Sequence, residues 1–282
     1  MSETTRPRLT VLISPSRRSL GLVWREIWSY RDLWWTLAAR DVRVRYKQTV
    51  LGAAWAILQP LLAMVVFTVV FGRFLGVEDR LPDPGVSYSV WVYSGLLPWT
   101  FFASTAGGAA TSLVSNSALM TKVYFPRILI PLSVLGYTTV DLAMAALILV
   151  VMILAGGAVP GLSLLLVPVA FVGLVLCGAG FGVALAGLTV KYRDFRYAVP
   201  FLIQILLFLT PVIYPTSVVP EKYHWIAYLN PLTGLVSGFR AGVLNTPIDV
   251  VPLILSLMMS GVIFGFGYLY LWRVESHFAD IV

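Results

Sequence analysis

Charged residues divide this chain into long apolar blocks. No Asp, Glu, Lys or Arg lies between Lys47 and Arg73, or between Asp83 and Lys122. A third block runs from Arg127 to about Ala155 and holds Asp141 as its single acid. After Gly156-Gly157-Ala158-Val159-Pro160-Gly161, a fourth runs to Val190. A fifth follows Arg196 and ends near Pro211 and Pro215, and a sixth covers about Val250 to Trp272. A membrane-crossing helix needs about 20 apolar residues, because the hydrocarbon core is roughly 30 Å thick and each residue rises about 1.5 Å. The pattern therefore predicts an all-α integral membrane protein with six spans, the second near 89–112.

Residues 223–239 form a further apolar segment, too short to cross, with Asn230-Pro231 and several glycines. It reads as a re-entrant or interfacial piece on the outer side, between spans five and six. Irregular backbone at membrane depth must be buried in protein or line a watery path, since lipid cannot satisfy its amides. Residues 29–47 predict a helix lying on the inner surface. Asp32, Thr36, Arg40, Arg43 and Lys47 share one stripe at helical spacing, and Trp34, Trp35, Ala38, Ala39, Val42 and Tyr46 cover the opposite side. Arg31, Asp41 and Arg45 interrupt the pattern. Such a helix suits a membrane anchor; a lever that touches a cytoplasmic partner is the second reading.

Composition agrees with the blocks: 59% of residues are hydrophobic and 12% charged. A soluble domain carries about 25% charged residues, so the apolar surplus is assigned to lipid. The formal charge of +7 concentrates at the N-terminus, where ten of the twenty Lys and Arg precede residue 48. That placement favours a cytoplasmic membrane surface with anionic lipid heads over nucleic acid. With the N-terminus inside, sixteen Lys and Arg fall on the inner side, leaving Arg73, Arg80, Lys222 and Arg240 outside. This asymmetry requires an even number of spans and puts both termini in the cytoplasm. The first apolar stretch is too long for a cleavable signal. The domain division is one membrane domain over 48–272, a cytoplasmic N-terminal region over 1–47 and a tail over 273–282.

Candidate chemistry is sparse. Cys177 is alone, and His224 and His277 lie far apart, so neither a disulfide within the chain nor a metal centre is expected. No P-loop, H-E-x-x-H or G-x-S-x-G occurs. Proton- and sodium-coupled carriers hold several ionisable residues within their spans, and only Asp141 is available here. Uphill transport would therefore draw its energy from another subunit. Asp141 is open to two readings, an acid in a translocation path or a satisfied hydrogen bond at a helix contact. The glycine-rich fourth span (Gly173, Gly178, Gly180, Gly182, Gly187) predicts close helix packing.

Several local patterns occur in order along the chain. The first is Ala39-Arg40-Asp41-Val42-Arg43-Val44-Arg45-Tyr46-Lys47, followed by Leu51-Gly52-Ala53-Ala54-Trp55 and Gln59-Pro60. The second is Tyr93-Ser94-Gly95-Leu96-Leu97-Pro98-Trp99, then Asn116 and Lys122-Val123-Tyr124-Phe125-Pro126-Arg127. Tyr192-Arg193-Asp194 follows the fourth span. Thr210-Pro211-Val212-Ile213-Tyr214-Pro215, Asn230-Pro231-Leu232 and Phe239-Arg240 complete the set. Together these resemble the permease subunits of type-2 ABC exporters for polysaccharide and polyol phosphate polymers, such as O-antigen, capsule and teichoic acid. The resemblance runs from about Trp24 to Arg273. It implies a homodimer of permeases with two cytoplasmic ATPase subunits that hold the ATP and magnesium, this chain binding no cofactor. It also implies export of a lipid-linked glycan across a bacterial inner membrane.

By that resemblance, residues 116–127 form a coupling helix for the ATPase, with Asn116, Thr121, Lys122, Tyr124, Phe125, Pro126 and Arg127 as its residues. A plain positive-inside flank is the alternative. Tyr192, Arg193 and Asp194 offer either a second ATPase contact or a local ion pair. Aromatic rings suit a sugar path, because C–H faces stack on rings; Tyr46, Trp55, Trp99, Phe102 and Tyr192 are the candidates, against an interfacial aromatic belt. Thr210, Pro211, Tyr214, Pro215, Asn230, Pro231 and Arg240 are expected to form an outer gate, with Arg240 binding acidic sugar or phosphate, or snorkelling. The same kind of exporter for a drug, lipid or teichoic acid, a membrane-embedded transferase, and a passive channel are the competing functions.

Overall fold

The computed structural model describes residues 28–47, 52–83, 85–123, 125–156 and 161–275. Among these the chain is helical throughout, with no strand. The expected N-terminal region before Trp28, the tail beyond Glu275, most of the 156–161 turn and Tyr124 lie outside the described residues. The interfacial helix is α1 (Arg31–Lys47). The first apolar block folds as α2 (Ala54–Phe67), which continues in a π-helical stretch, Thr68–Phe74. Then come α3 (Tyr88–Ser115), the short α4 (Ser117–Met120) and α5 (Leu129–Ala155). A 3-10 turn (Leu162–Leu165) leads into α6 (Leu166–Lys191). The rest is α7 (Phe195–Leu209), α8 (His224–Leu229), α9 (Pro231–Leu244) and α10 (Val250–Glu275).

Among the described residues, four stretches are long and apolar enough to cross a bilayer: Ala54–Phe74, Leu129–Ala155, Leu162–Lys191 and Val250–Glu275. They are the first, third, fourth and sixth expected spans. The other two expected spans differ for physical reasons. Helix α3 has 28 residues but carries many Ser, Thr, Gly and Tyr, because it packs against α5, α6 and α9 instead of facing lipid. Its residues from Trp91 to Trp99 are all buried. Helix α7 has only 15 residues, since Pro211 lacks an amide hydrogen and the chain turns at Thr210.

The apolar segment over 223–239 is mostly helical. Asn230 caps α9, its side chain accepting from Leu232 N at 3.0 Å, and Pro231 occupies the first helical position. Pro there loses no helix hydrogen bond and has its φ already set. The left-handed Asn245 (φ 56°) ends α9. Helix α9 is buried along nearly its whole length against α3, α6 and α10.

The glycines of α6 bring helices close, as their density predicts. A β-carbon on Gly180 would stand 2.6 Å from Phe264 N in α10, and one on Gly178 would stand 3.2 Å from Thr105 Cβ in α3. Gly267 of α10 lies against the backbone of Gly180. A Gly180→Leu change should push α10 off α6. Overpacking costs about 1–3 kcal/mol where neighbours can shift, and here the neighbour is backbone. The purified protein in detergent should show a clearly lower melting temperature.

Candidate functional site

The basic loops converge at one end of the bundle. Helix α1 lies along α5, with Ala38 packed on Gly136 so closely that a β-carbon at Gly136 would stand 2.8 Å from Ala38 Cβ. Along α5, polar contacts lie on both sides of Gly136, at Ser133 and at Asp141. Asp41 accepts from Ser133 Oγ of α5 at 2.7 Å and pairs with Arg40 Nη2 at 2.8 Å. Arg40 Nη2 also donates to Asn116 Oδ1 at 2.9 Å. One turn further along α1, Arg45 Nη2 pairs with Asp141 Oδ2 at 2.7 Å, and Tyr46 donates its hydroxyl to the other Asp141 oxygen. Arg45 also covers the Tyr137 ring, at 4.5 Å from the centroid. Burial, and then the bond to Asp141, push the Tyr46 phenol above its usual range, so it acts as a neutral donor.

These contacts revise three expectations. Arg40 does not face water on the polar stripe; it is half-buried and turned toward the α3–α4 junction. Asp141 and Tyr46 bind each other and Arg45 instead of standing free in a path. The lone intramembrane acid thus takes the second of its two readings. The proposed apolar side is also split, for Trp34 is partly buried whereas Trp35 is exposed. Arg43 is exposed and donates only to Ala39 O within its own helix.

Asn116 sits between α3 and α4. Its amide donates to Ser112 O at 2.9 Å, closing the end of α3, while its oxygen accepts from Arg40. Beyond it, Thr121 and Lys122 are exposed, Phe125 is buried and Pro126 is partly buried. Arg127 is committed within the chain: it approaches the Glu275 carboxylate at 3.6 Å and donates to Glu275 O at 3.4 Å. This fastens the start of α5 to the end of α10 and takes Arg127 off the surface offered to a partner.

Tyr192, Arg193 and Asp194 are exposed at the same end. No ion pair joins Arg193 to Asp194 among the described residues, so the local-pair reading is not realised. Lys191 Nζ lies 5.1 Å from the Tyr192 ring centroid. A cleft of about 370 Å³ separates this turn from α4, with Val114, Ser117 and Met120 on one side and Val190, Arg193 and Arg196 on the other. The two loops that sequence reasoning treated separately therefore form one surface.

The aromatic candidates divide by burial. Trp99 and Phe102 are core residues, 5% and 1% exposed, with Phe102 edge-on to Phe181. In this arrangement neighbouring helices cover both rings. Trp55 and Tyr192 remain about half exposed.

At the opposite end, Arg240 is buried. It donates from Nη2 to Val212 O (2.9 Å), from Nη1 to Pro211 O (3.4 Å) and from Nε to Trp91 O (3.3 Å). Its guanidinium lies 3.6 Å from the Trp91 ring centroid. A β-carbon on Gly95 would collide with it. Arg240 neither snorkels nor presents itself to an acidic sugar; it holds the 211–213 backbone against α3. Tyr88 adds a bond to Ile213 O at 2.6 Å, and Asn230 donates to Thr210 Oγ1 at 2.8 Å. Tyr214 donates to Phe208 O at 2.9 Å, and Pro215 is buried. Sequence reasoning missed Ser133, Gly136, Tyr137, Tyr88 and Glu275. None carries a local motif, and Gly136 alone marks a close approach.

The fold is all-helical among the described residues, with four stretches long and apolar enough to cross a bilayer, as in a multi-pass membrane protein. The chain belongs to the ABC-2 type transporter family, whose model matches residues 32–244. It is similar to an O-antigen export system permease protein of Klebsiella pneumoniae, 28% identical over 89% of this chain and 95% of the relative. An O-antigen export system permease protein of Myxococcus xanthus is 30% identical over 77% of this chain and 82% of that one. A polysialic acid transport protein of Escherichia coli is 23% identical over 74% and 80%.

Proposed function

We propose that this chain is the transmembrane subunit of an ATP-driven exporter that carries a lipid-linked polysaccharide of O-antigen type across the inner membrane. It works as a homodimer with two ATPase subunits, which bind ATP and magnesium. The observation that carries the cargo is the ranking of the relatives. Proteins named for O-antigen export reach 28–30% identity, against 22–23% for those named for polysialic acid. The six-span reading adds α3 and α7 to the four apolar stretches, with α8 and α9 as the re-entrant outer piece. The basic end is cytoplasmic, in line with the distribution of Lys and Arg.

The joint surface of α4, Thr121, Lys122 and the Tyr192–Asp194 turn supports the coupling role. It is exposed, basic and attached to the ends of α3, α5 and α6. An ATPase that docks there moves those helix ends directly. Trp55 and Tyr192 remain as the path aromatics. The turn at Thr210–Pro215 with α8 and α9 serves as the outer gate, closed by a fixed turn.

The test is co-purification with a P-loop ATPase whose hydrolysis supports appearance of glycan outside. In that system Lys122→Glu should lower association with the ATPase about tenfold, within the ~5–150-fold range of ordinary coupling. Arg127→Glu, placed beside Glu275, should instead loosen the end of α10. Equal association for the wild type and Lys122→Glu would remove the coupling assignment.

A further inference from the structure

We infer that Arg40, Asp41, Asn116 and Ser133 are positioning residues for energy coupling: they make α1 a rigid strut that passes movement of the α3–α4 junction to α5. This rests on the exporter reading above. Family membership places an ATPase beneath this end but gives no route from the docked loop into the bundle. The side-chain geometry supplies one.

Asn116 is a joint with two bonds in different directions. Its nitrogen is used on α3 and its oxygen on Arg40. Arg40 shares its guanidinium between Asn116 and Asp41, and Asp41 spends its second oxygen on Ser133. The three elements are thus linked in series through charge-assisted bonds, which are short and directional. Each of Arg40, Asp41 and Asn116 is partly buried and Ser133 is fully buried, so solvent does not readily replace a broken link.

A strut must also resist turning about its contact. Helix α1 is fixed a second time on α5, about one turn on along α1 and two along α5, by Arg45 and Tyr46 on Asp141. Before both fixings along α1, Ala38 seats on Gly136, which lies between Ser133 and Asp141 on α5 and leaves no room for a larger side chain. Two polar fixings and one tight apolar contact leave α1 and α5 to move together. Displacement of α4 then pulls on α1 through Arg40 and reaches α5 through Asp41. A pure membrane anchor has no use for a bond to Asn116. Its polar residues would face headgroups and water instead.

The experiment uses the intact permease–ATPase complex in proteoliposomes, reading ATPase retention, ATP hydrolysis and glycan exported per ATP. Asn116→Leu removes the acceptor for Arg40 and the cap on α3. Asn116→Asp keeps an oxygen for Arg40 but also loses the amide donor to Ser112, so it separates the strut from the cap. Ser133→Ala cuts the α5 arm, together with the hydroxyl's contact to Ile130 O within α5. Ser133→Ala should retain the ATPase and hydrolyse ATP within about twofold of wild type while export per ATP falls about tenfold, and Asn116→Leu should show the same fall in export per ATP. Asn116→Asp should export normally. The double variant should be no worse than either single one, because both cut the same series link.

Unchanged export per ATP in Asn116→Leu and Ser133→Ala overturns the strut. So does a proportional fall in retention, hydrolysis and export, which marks a merely structural role. Loss in Asn116→Asp equal to that in Asn116→Leu assigns the effect to the cap and likewise overturns it. A wild-type chain that neither retains an ATPase nor exports overturns the exporter reading itself, and the strut falls with it.

Discussion

Replacing Arg240 with alanine is expected to lower the melting temperature of the detergent-purified protein by about 10 °C or more, and to spread its size-exclusion peak. The guanidinium satisfies three backbone carbonyls at a buried site, those of Trp91, Pro211 and Val212. A buried polar group left without its partner costs about 1–3 kcal/mol, and folded domains hold only about 5–15 kcal/mol in all. Trp91 O keeps its bond from Ser94 Oγ, but the carbonyls of Pro211 and Val212 lose their partner, which would consume a large part of that reserve. The Trp91 ring loses a cation at 3.6 Å in the same step. Arg240→Lys should recover only part of the loss, because an ammonium cannot reproduce the planar fork that reaches several carbonyls at once. An arginine at a lipid interface, or one that meets sugar, would leave the melting temperature in place when changed. Thermal unfolding by intrinsic fluorescence separates these cases.

Asp141→Ala should have the second-largest effect, localised to the last turns of α1. It strips Arg45 of its carboxylate and Tyr46 of its acceptor in one change. Breaking a buried pair costs about 3–5 kcal/mol, but Arg45 keeps 42% side-chain exposure, so water recovers part of this and about 1–3 kcal/mol remains. Hydrogen exchange should rise over residues 42–47 while the amides of α6 and α10 stay protected. A cargo-binding acid would behave differently: exchange in α1 would be unchanged and the export of charged glycans would shift. Rescue by Asp141→Glu, whose longer arm reaches the same two partners, should be partial in exchange protection.

The resemblance to the exporter permeases was legible because short, ordered patterns survive along the chain. Arg40 to Lys47, Pro98 with Trp99, Lys122 to Arg127 and Thr210 to Pro215 all identify their elements. What the individual side chains do was legible only in part. Trp99 and Phe102 have the chemistry of a sugar-stacking wall, yet the packing of α3 and α6 encloses them. A linear sequence does not say which face of a central helix meets its neighbours when almost every face is apolar or small. Arg240 was misread for a related reason. A lone cation in an outer segment suggests an anion, and nothing local indicates that the freed carbonyls of a proline-bounded turn will be its partners.

By itself the sequence determined how many apolar blocks there are, where charge interrupts them, and which loops are basic. These follow from the cost of placing charge in hydrocarbon, which acts residue by residue along the chain. It also indicated the close packing of α6, because glycines let neighbouring backbones approach. The tertiary structure alone decided that α3 is the enclosed core helix, that Arg127 belongs to Glu275, and that Arg40 and Asp141 fasten α1 to the bundle. Those outcomes depend on directed bonds between residues far apart in the chain, Arg40 with Asn116 and Tyr46 with Asp141 among them, and a bond's direction exists only once both helices are in place.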